Sequence, residues 1–327
     1  MQNATLSPTE NNLDSAGPVG SELDLLAEIN RLRVDRNAFI LAHYYQEPVI
    51  QDLANVVGDS LQLAQAAQKA NADVVLFCGV HFMAETAKIL NPNATVVLPD
   101  TDAGCSLADR CHAELFREWL KDYPDHVVVS YINCSAGVKA LSDIICTSSN
   151  VVRVINSIPP DKKIVFAPDR HLGRWVAHKT GREMALYPGF CVIHKQFSAS
   201  AVSQAKAAHP QAKFLAHPEC DISVSSLADF VGSTASMLNY VAKDSGKSFI
   251  IGTEAGILHL MKKARPDAEF VPVPVDSGGN APLCPYMRLN TLEKMYLALR
   301  DLRPQVTLDA ELRQKALVPL ERMLSLG

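Results

Sequence analysis

Apolar runs of a strand's length alternate along this chain with stretches whose apolar positions recur at helical spacing. Leu23, Leu25, Leu26, Ile29 and Leu32 fall on one helical face behind a candidate cap, Ser21. Ala38 to Leu41 then reads as a strand that discharges into Ala42-His43-Tyr44-Tyr45-Gln46. Gly58-Asp59-Ser60 heads a helix from Leu61 to Ala70, Asp73 to Phe77 is a second strand, and His81 to Leu90 a second such helix. A third strand, Ala94 to Leu98, leads into a loop holding Gly104-Cys105-Ser106.

The cycle then starts again. After a linking helix over Leu107 to Leu120 come a strand at Val127 to Tyr131 and Cys146-Thr147-Ser148-Ser149 heading a helix over Asn150 to Ser157. Lys163 to Ala167 (strand), Leu172 to Lys179 (helix) and Glu183 to Tyr187 (strand) lead to Gly189-Phe190-Cys191. In a third cycle Phe214-Leu215-Ala216 runs into His217-Pro218-Glu219, and Gly232-Ser233-Thr234 heads Ala235 to Lys243. Strand Ser248 to Ile251, helix Gly256 to Ala264 and strand Glu269 to Val275 follow, then the loop Asp276 to Cys284. Helices over Leu292 to Leu302 and Ala310 to Leu324 finish the chain.

Landmarks confirm the repetition. His43, Tyr131 and His217 follow one another at 88 and 86 residues, and so do Ser60, Ser148 and Thr234. Phe77, Phe166 and Ile251 are spaced by 89 and 85, and Cys105, Cys191 and Cys284 by 86 and 93. The expected fold class is α/β, with three homologous α/β/α sandwich domains in a pseudo-threefold triangle around a central site. The expected divisions are a disordered leader over 1–22, repeats over 23–110, 111–195 and 196–285, and C-terminal helices over 286–327.

Composition narrows the function. A net charge of −4 gives no basic footprint for nucleic acid, and no apolar run approaches the length of a membrane span. The polar first twenty residues lack the charged and apolar regions of a secretory signal, so the cytosol is the expected compartment. In that setting the eight cysteines read as thiols or metal ligands, not a disulfide framework.

None of them forms a C-x2-C pair, which removes zinc-finger and bacterial ferredoxin patterns. Cys105, Cys191 and Cys284 nonetheless hold one place in each repeat, and a threefold arrangement would bring three thiols to one point. Three thiolates suit a soft metal centre; on a cubane iron–sulfur cluster they would leave one iron open to substrate. Singly, each could be a packing residue, the reading favoured for Cys78, Cys134, Cys146 and Cys220, with Cys111 left open by its closeness to Cys105. Ser60, Ser148 and Thr234 each stand at a helix start, where they could simply cap. Three converging helix starts would instead make a receptacle for carboxylates or phosphate. His43, Tyr45, Tyr131, His217 and Glu219 at the first-strand ends can move protons, Asn133 can orient a substrate, and His194 lies three residues after Cys191.

At these residues the chain resembles the quinolinate synthase family, the A protein of bacterial NAD biosynthesis, from about Leu23 to Leu302. The stretches that carry the resemblance are Ala42-His43-Tyr44-Tyr45-Gln46, Val57-Gly58-Asp59-Ser60, Tyr131-Ile132-Asn133, Cys146-Thr147-Ser148-Ser149-Asn150, His217-Pro218-Glu219-Cys220 and Ser277-Gly278-Gly279-Asn280. It implies three α/β domains in a triangle around one [4Fe–4S] cluster, and a transferase that condenses iminosuccinate (iminoaspartate) with dihydroxyacetone phosphate to quinolinate, phosphate and water. It further implies Cys105, Cys191 and Cys284 as cluster ligands, and Glu219 as general base with His43, Tyr45, Tyr131 and His217 in catalysis. Substrate contacts are implied for His43, Ser60, Tyr131, Ile132, Asn133, Ser148, His194, His217, Pro218, Glu219 and Thr234. Some relatives carry a C-x-x-C-x-x-C run at the last ligand; here Cys284 stands alone in Leu283-Cys284-Pro285-Tyr286, so a local disulfide switch has no basis. Coupling to an L-aspartate oxidase or dehydrogenase fits the resemblance, though no residue bears on it. Two alternatives stay open: a non-catalytic metal- or cluster-binding protein, and a metal-free enzyme acting on phosphosugars.

Overall fold

A computed structural model describes residues 21–275 and 279–327. The expected leader, apart from its last two residues, and Asp276-Ser277-Gly278 of the closing loop lie outside the described residues. Twelve strands form three four-stranded, all-parallel sheets. The first holds β1 (Ala38–His43), β2 (Val56–Gly58), β3 (Val74–Cys78) and β4 (Thr95–Val97). The second holds β5 (His126–Tyr131), β6 (Ile144–Cys146), β7 (Lys163–Ala167) and β8 (Met184–Leu186). In the third are β9 (Lys213–Ala216), β10 (Phe230–Val231), β11 (Ser248–Gly252) and β12 (Glu269–Pro272). Their orders are β2-β1-β3-β4, β6-β5-β7-β8 and β10-β9-β11-β12, one topology three times.

That topology places the site. The chain leaves the first strand of each sheet to one side, returns, and crosses to the other side for the third. The crevice between those two carboxyl ends is where open α/β sheets bind ligands. Central strands are buried on both faces, as helix-covered parallel sheets require: β3 is buried throughout, and β7 and β11 are buried beyond their first residue.

Several details differ from the pattern-based expectation, which also did not mark the helices Pro48–Leu53 and Ala199–Ala208. The short strands β2, β6 and β10 escape notice because two or three residues cannot show a period. The linking helix after Cys105 is two pieces, Ser106–Asp109 and Ala113–Leu120, broken at Arg110-Cys111-His112, where buried Cys111 packs with Phe116 and Tyr187. The last strand stops at Pro272, and the helix expected from Gly256 begins as a 3-10 turn over Ala255–Ile257. The terminal helices brace the first two units. Leu292–Asp301 packs on Glu22–Asp35, and Ala310–Ser325 packs between β6 and the helix His81–Leu90. Between them, Gln305 pairs antiparallel with Val97, so the chain's end covers the edge of β4.

The units touch through close backbone approaches. Gln51 Nε2 donates to Gly256 O at 3.0 Å, and a Cβ on Gly256 would stand 2.8 Å from the backbone of Tyr45. Gly256→Ala therefore has to push the third unit off the first, with an overpacking cost of about 1–3 kcal/mol. Urea unfolding of the variant is expected to show that loss, and an unchanged midpoint would contradict this packing.

Candidate active site

Strand pairing puts the landmark residues in register. The last pairs between the first and third strands are Ala42 with Cys78, Ser130 with Ala167 and Ala216 with Gly252. His43, Tyr131 and His217 each come one residue later, at equivalent strand ends. The pairs His43 with Gly58, Tyr131 with Cys146 and Ala216 with Val231 put Ser60, Ser148 and Thr234 at one place too. All six residues line a single cavity, together with Tyr45, Asn133, His194, Glu219, Cys105, Cys191 and Cys284. Ile132 and Pro218 are not among the lining residues. Ile132 is buried in the core, its N–H donating to Cys146 O at 2.8 Å, and Pro218 is buried beneath the wall.

The three hydroxyls are not the helix caps. Asp59 caps Ser60–Lys69 by accepting from the Leu61 and Gln62 amides at 3.1 and 3.0 Å. Ser233 caps Thr234–Lys243 by accepting from the Ser236 amide at 3.2 Å, and Asn150 precedes Val151–Ser157. Asp59 and Ser233 do the capping in units one and three, Asn150 makes no side-chain cap in unit two, and Ser60, Ser148 and Thr234 face the cavity. Ser149 joins the three starts: its Oγ donates to Asp59 Oδ2 at 2.5 Å and lies 2.7 Å from Ser233 Oγ.

Opposite lies a buried acid–base chain. Glu219 Oε1 accepts from the Tyr131 hydroxyl at 2.6 Å, and its Oε2 is 2.8 Å from His194 Nδ1. An ionised carboxylate only accepts, so Nδ1 carries the proton and Nε2 is the acceptor. Thr253 Oγ1, 3.0 Å from Nε2, donates to it, and the Tyr45 hydroxyl, 2.7 Å away, donates to Thr253. Burial would raise the Glu219 carboxyl, but His194 and His217, with the hydrogen bonds from His194 and Tyr131, outweigh it and hold the carboxyl well below its usual range. Burial, opposed by the Glu219 charge, pushes His43 and His217 down to about 3, so both are neutral at pH 7. Burial, reinforced by Glu219, raises Tyr45 and Tyr131 well above an ordinary phenol. Of the three carboxyls that line the cavity, Glu219 is thus held as the firm anion, while burial raises Asp59 and pushes Glu254 up to about 7. Asn133 Oδ1, buried without a protein partner, offers one more acceptor.

Sequence reasoning missed Thr253, Asp59, Asp169 and Glu254. Thr253, Asp169 and Glu254 had a usable signal: each follows Phe166 or Ile251, already recognised as aligned, by two or three residues. The apolar wall of Val80, Phe82, Met83, Ile193, Tyr286 and Met287 left no signal distinct from core.

All eight cysteines are free thiols, and those outside the trio, including Cys111, are buried in packing positions. Burial raises the thiol of Cys105 to about 12, that of Cys284 to about 11 and that of Cys191 well above its usual value. Among the described residues the one group with ligand atoms all within 4.8 Å of one another is Cys191, His194 and Glu219. The three cavity cysteines do not approach so closely as a set. Thiolates on one tetrahedral zinc lie roughly 3.8 Å apart, given a Zn–S bond of about 2.3 Å. The trio as placed is therefore too open to hold a single tetrahedral ion.

The two neutral histidines set an acid limit. Their unfolded value is 6.5 and their folded value about 3, so between those limits the unfolded chain binds protons that the folded chain refuses. Stability is expected to fall as pH drops below 6.5, by up to about 1.4 kcal/mol per pH unit for each histidine. Urea titrations of metal-free protein at several pH values should show this slope, and His43→Gln with His217→Gln should flatten it. An equally steep slope in the double variant would refute the assignment.

A family model described as quinolinate synthetase A protein matches residues 27–325 of this chain. A quinolinate synthase of Microcystis aeruginosa is 55% identical over 304 residues, covering 93% of this chain and 95% of that protein. One from Nostoc punctiforme is 55% identical over 305 residues, 93% of this chain and 94% of its own. One from a Synechocystis strain is 54% identical over 304 residues, with 93% and 96% covered. Among the described residues no helix is long and apolar enough to cross a membrane.

Proposed function

The chain belongs to the quinolinate synthetase A protein family, and from that premise we propose that it is a cytoplasmic quinolinate synthase of NAD biosynthesis. Its substrates in this reading are iminosuccinate and dihydroxyacetone phosphate. Condensing them to quinolinate releases phosphate and two molecules of water with no net oxidation. The observation that carries the reading is one cavity lined by residues from the same strand-end positions of all three units, with three thiols, three hydroxyls and the buried carboxylate of Glu219.

The thiols of Cys105, Cys191 and Cys284 would hold a [4Fe–4S] cluster. When bound, such a cluster supplies a Lewis acid, through an iron without a protein ligand, that assists loss of water. The remaining chemistry falls to the chain itself. The hydroxyls of Ser60, Ser148 and Thr234, with the side-chain amide of Asn133, bind the carboxylates and the phosphate and orient the two substrates against each other. Glu219 is the base that takes a proton from the substrate, and the proton goes back through the Tyr131 hydroxyl, which gives up its own proton as it takes the one from Glu219. Tyr45 is too buried to ionise alone. Its proton can pass to Thr253 as the Thr253 proton passes to Nε2 of His194, whose Nδ1 faces Glu219, and this makes the Tyr45 oxygen a base. The apolar wall keeps reactive enamine intermediates from water.

The direct test is anaerobic reconstitution with iron and sulfide, followed by a quinolinate assay. Wild-type protein is expected to bind the cluster and form quinolinate, and Cys105→Ala to lose both. A colourless but active variant, or an inactive wild type with a full cluster, would sink the reading. The proton chain gives a separate test. Thr253→Val is expected to lower kcat about 100-fold or more with little change in KM, while Thr253→Ser retains most activity; equal rates for all three proteins would remove the relay.

A further inference from the structure

Two buried carboxylates, Asp169 and Glu254, have no part in that mechanism, yet both are fully enclosed. They cap the segments that follow the third strands of units two and three, and Val80 holds the equivalent position in unit one. In each unit the next amide, that of His81, Arg170 or Ala255, donates to a carbonyl: Ala103 O at 2.7 Å, Gly189 O at 3.0 Å and Pro282 O at 2.8 Å. Each of these carbonyls lies two residues before a cavity cysteine. One backbone clasp therefore holds all three cysteine loops.

Units two and three add a second bond, from the cap's side chain. Asp169 Oδ1 accepts from the Leu172 amide at 2.7 Å, and its Oδ2 accepts from the Cys191 amide at 3.2 Å. Glu254 Oε2 accepts from the Gly256 amide at 2.6 Å, and its Oε1 from the Cys284 amide at 3.1 Å and from Arg288 at 3.3 Å. Val80 has no side-chain acceptor. Capping alone does not explain these residues: Ser, Thr or Asn caps as well as Asp without a buried charge, and Glu is not among the preferred caps. What a carboxylate has and those lack is a second oxygen that only accepts, and in both units it is spent on the cysteine amide.

We propose that Asp169 and Glu254 are positioning residues for the cysteine centre, holding the loops of Cys191 and Cys284 in their ligating arrangement before any metal is present. The inference rests on the reading of the cysteines as cluster ligands, and it predicts an asymmetry that the threefold layout does not: two loops doubly fixed, the Cys105 loop fixed by the clasp alone. Partners behind a ligand typically change metal affinity about 10- to 100-fold.

Asp169→Asn and Glu254→Gln keep the volume but leave one acceptor oxygen for two amides; Asp169→Ser keeps the cap and loses the reach. In metal-free full-length protein, iodoacetamide labelling read by mass spectrometry is expected to run about 10-fold faster at Cys191 in both Asp169 variants and at Cys284 in Glu254→Gln, with Cys105 unchanged. In reconstituted protein, chelator-driven iron loss should quicken by a similar factor, and the paramagnetic resonance spectrum of the reduced centre should shift while the thermal midpoint holds. Labelling and iron loss at wild-type rates would overturn the proposal. So would equal acceleration at all three cysteines with a lowered midpoint, which marks a general structural role. If wild-type protein assembles no iron–sulfur centre, the functional reading fails separately, and the labelling pattern still decides whether these carboxylates hold the loops.

Discussion

A carboxylate cut off from water has to find its compensation inside the protein, and Glu219 finds its side-chain hydrogen-bond partners in groups that its own unit does not supply. Tyr131 comes from the end of β5 in the second unit, and His194 from the segment that follows Cys191. Through Thr253 the same chain reaches Tyr45 in the first unit. Separating the units would leave a buried charge with unpaired donors around it, a loss of several kcal/mol. The contact among the three units and the acid–base chain are thus one constraint, which also ties the proposed chemistry to the assembled state.

Triplication makes that constraint inexpensive to meet. One topology, repeated, delivers three strand ends, three helix starts and three cysteine loops to a shared centre. Identical scaffolds then carry different groups. His43, Tyr131 and His217 occupy one position, and so do Val80, Asp169 and Glu254. In the proposed reaction, differentiation within equivalent positions is what lets a near-symmetric frame hold an asymmetric substrate pair, with anions bound at one wall and protons moved at the other.

Much of this was legible in the sequence, because strand and helix periods and an 85- to 93-residue repeat are properties of the chain itself. Register followed from them: matching strand ends have to point the same way. The residues that escaped notice act through single contacts between units, and a single contact has no period. Thr253 and Asp59 look like ordinary polar residues until His194 and Ser149 are placed against them. The hydroxyl residues show the converse. Their positions were recognised, but the capping expected of Ser60 and Thr234 passes to the residue before each, and only the helix geometry decides that.

By itself the sequence determined the α/β class, the three units, the cavity cysteines and the titratable strand ends, since all depend on local periodicity and on spacing along the chain. His43-Tyr44-Tyr45 and His217-Pro218-Glu219 were marked by place, not by partner. Tertiary structure alone decided which protons face which acceptors, how far apart the thiols stand, and where the C-terminal helices pack. Those are distances between residues remote in the chain, set by how side chains of three sheets fill one enclosed space, and no one-dimensional pattern encodes them.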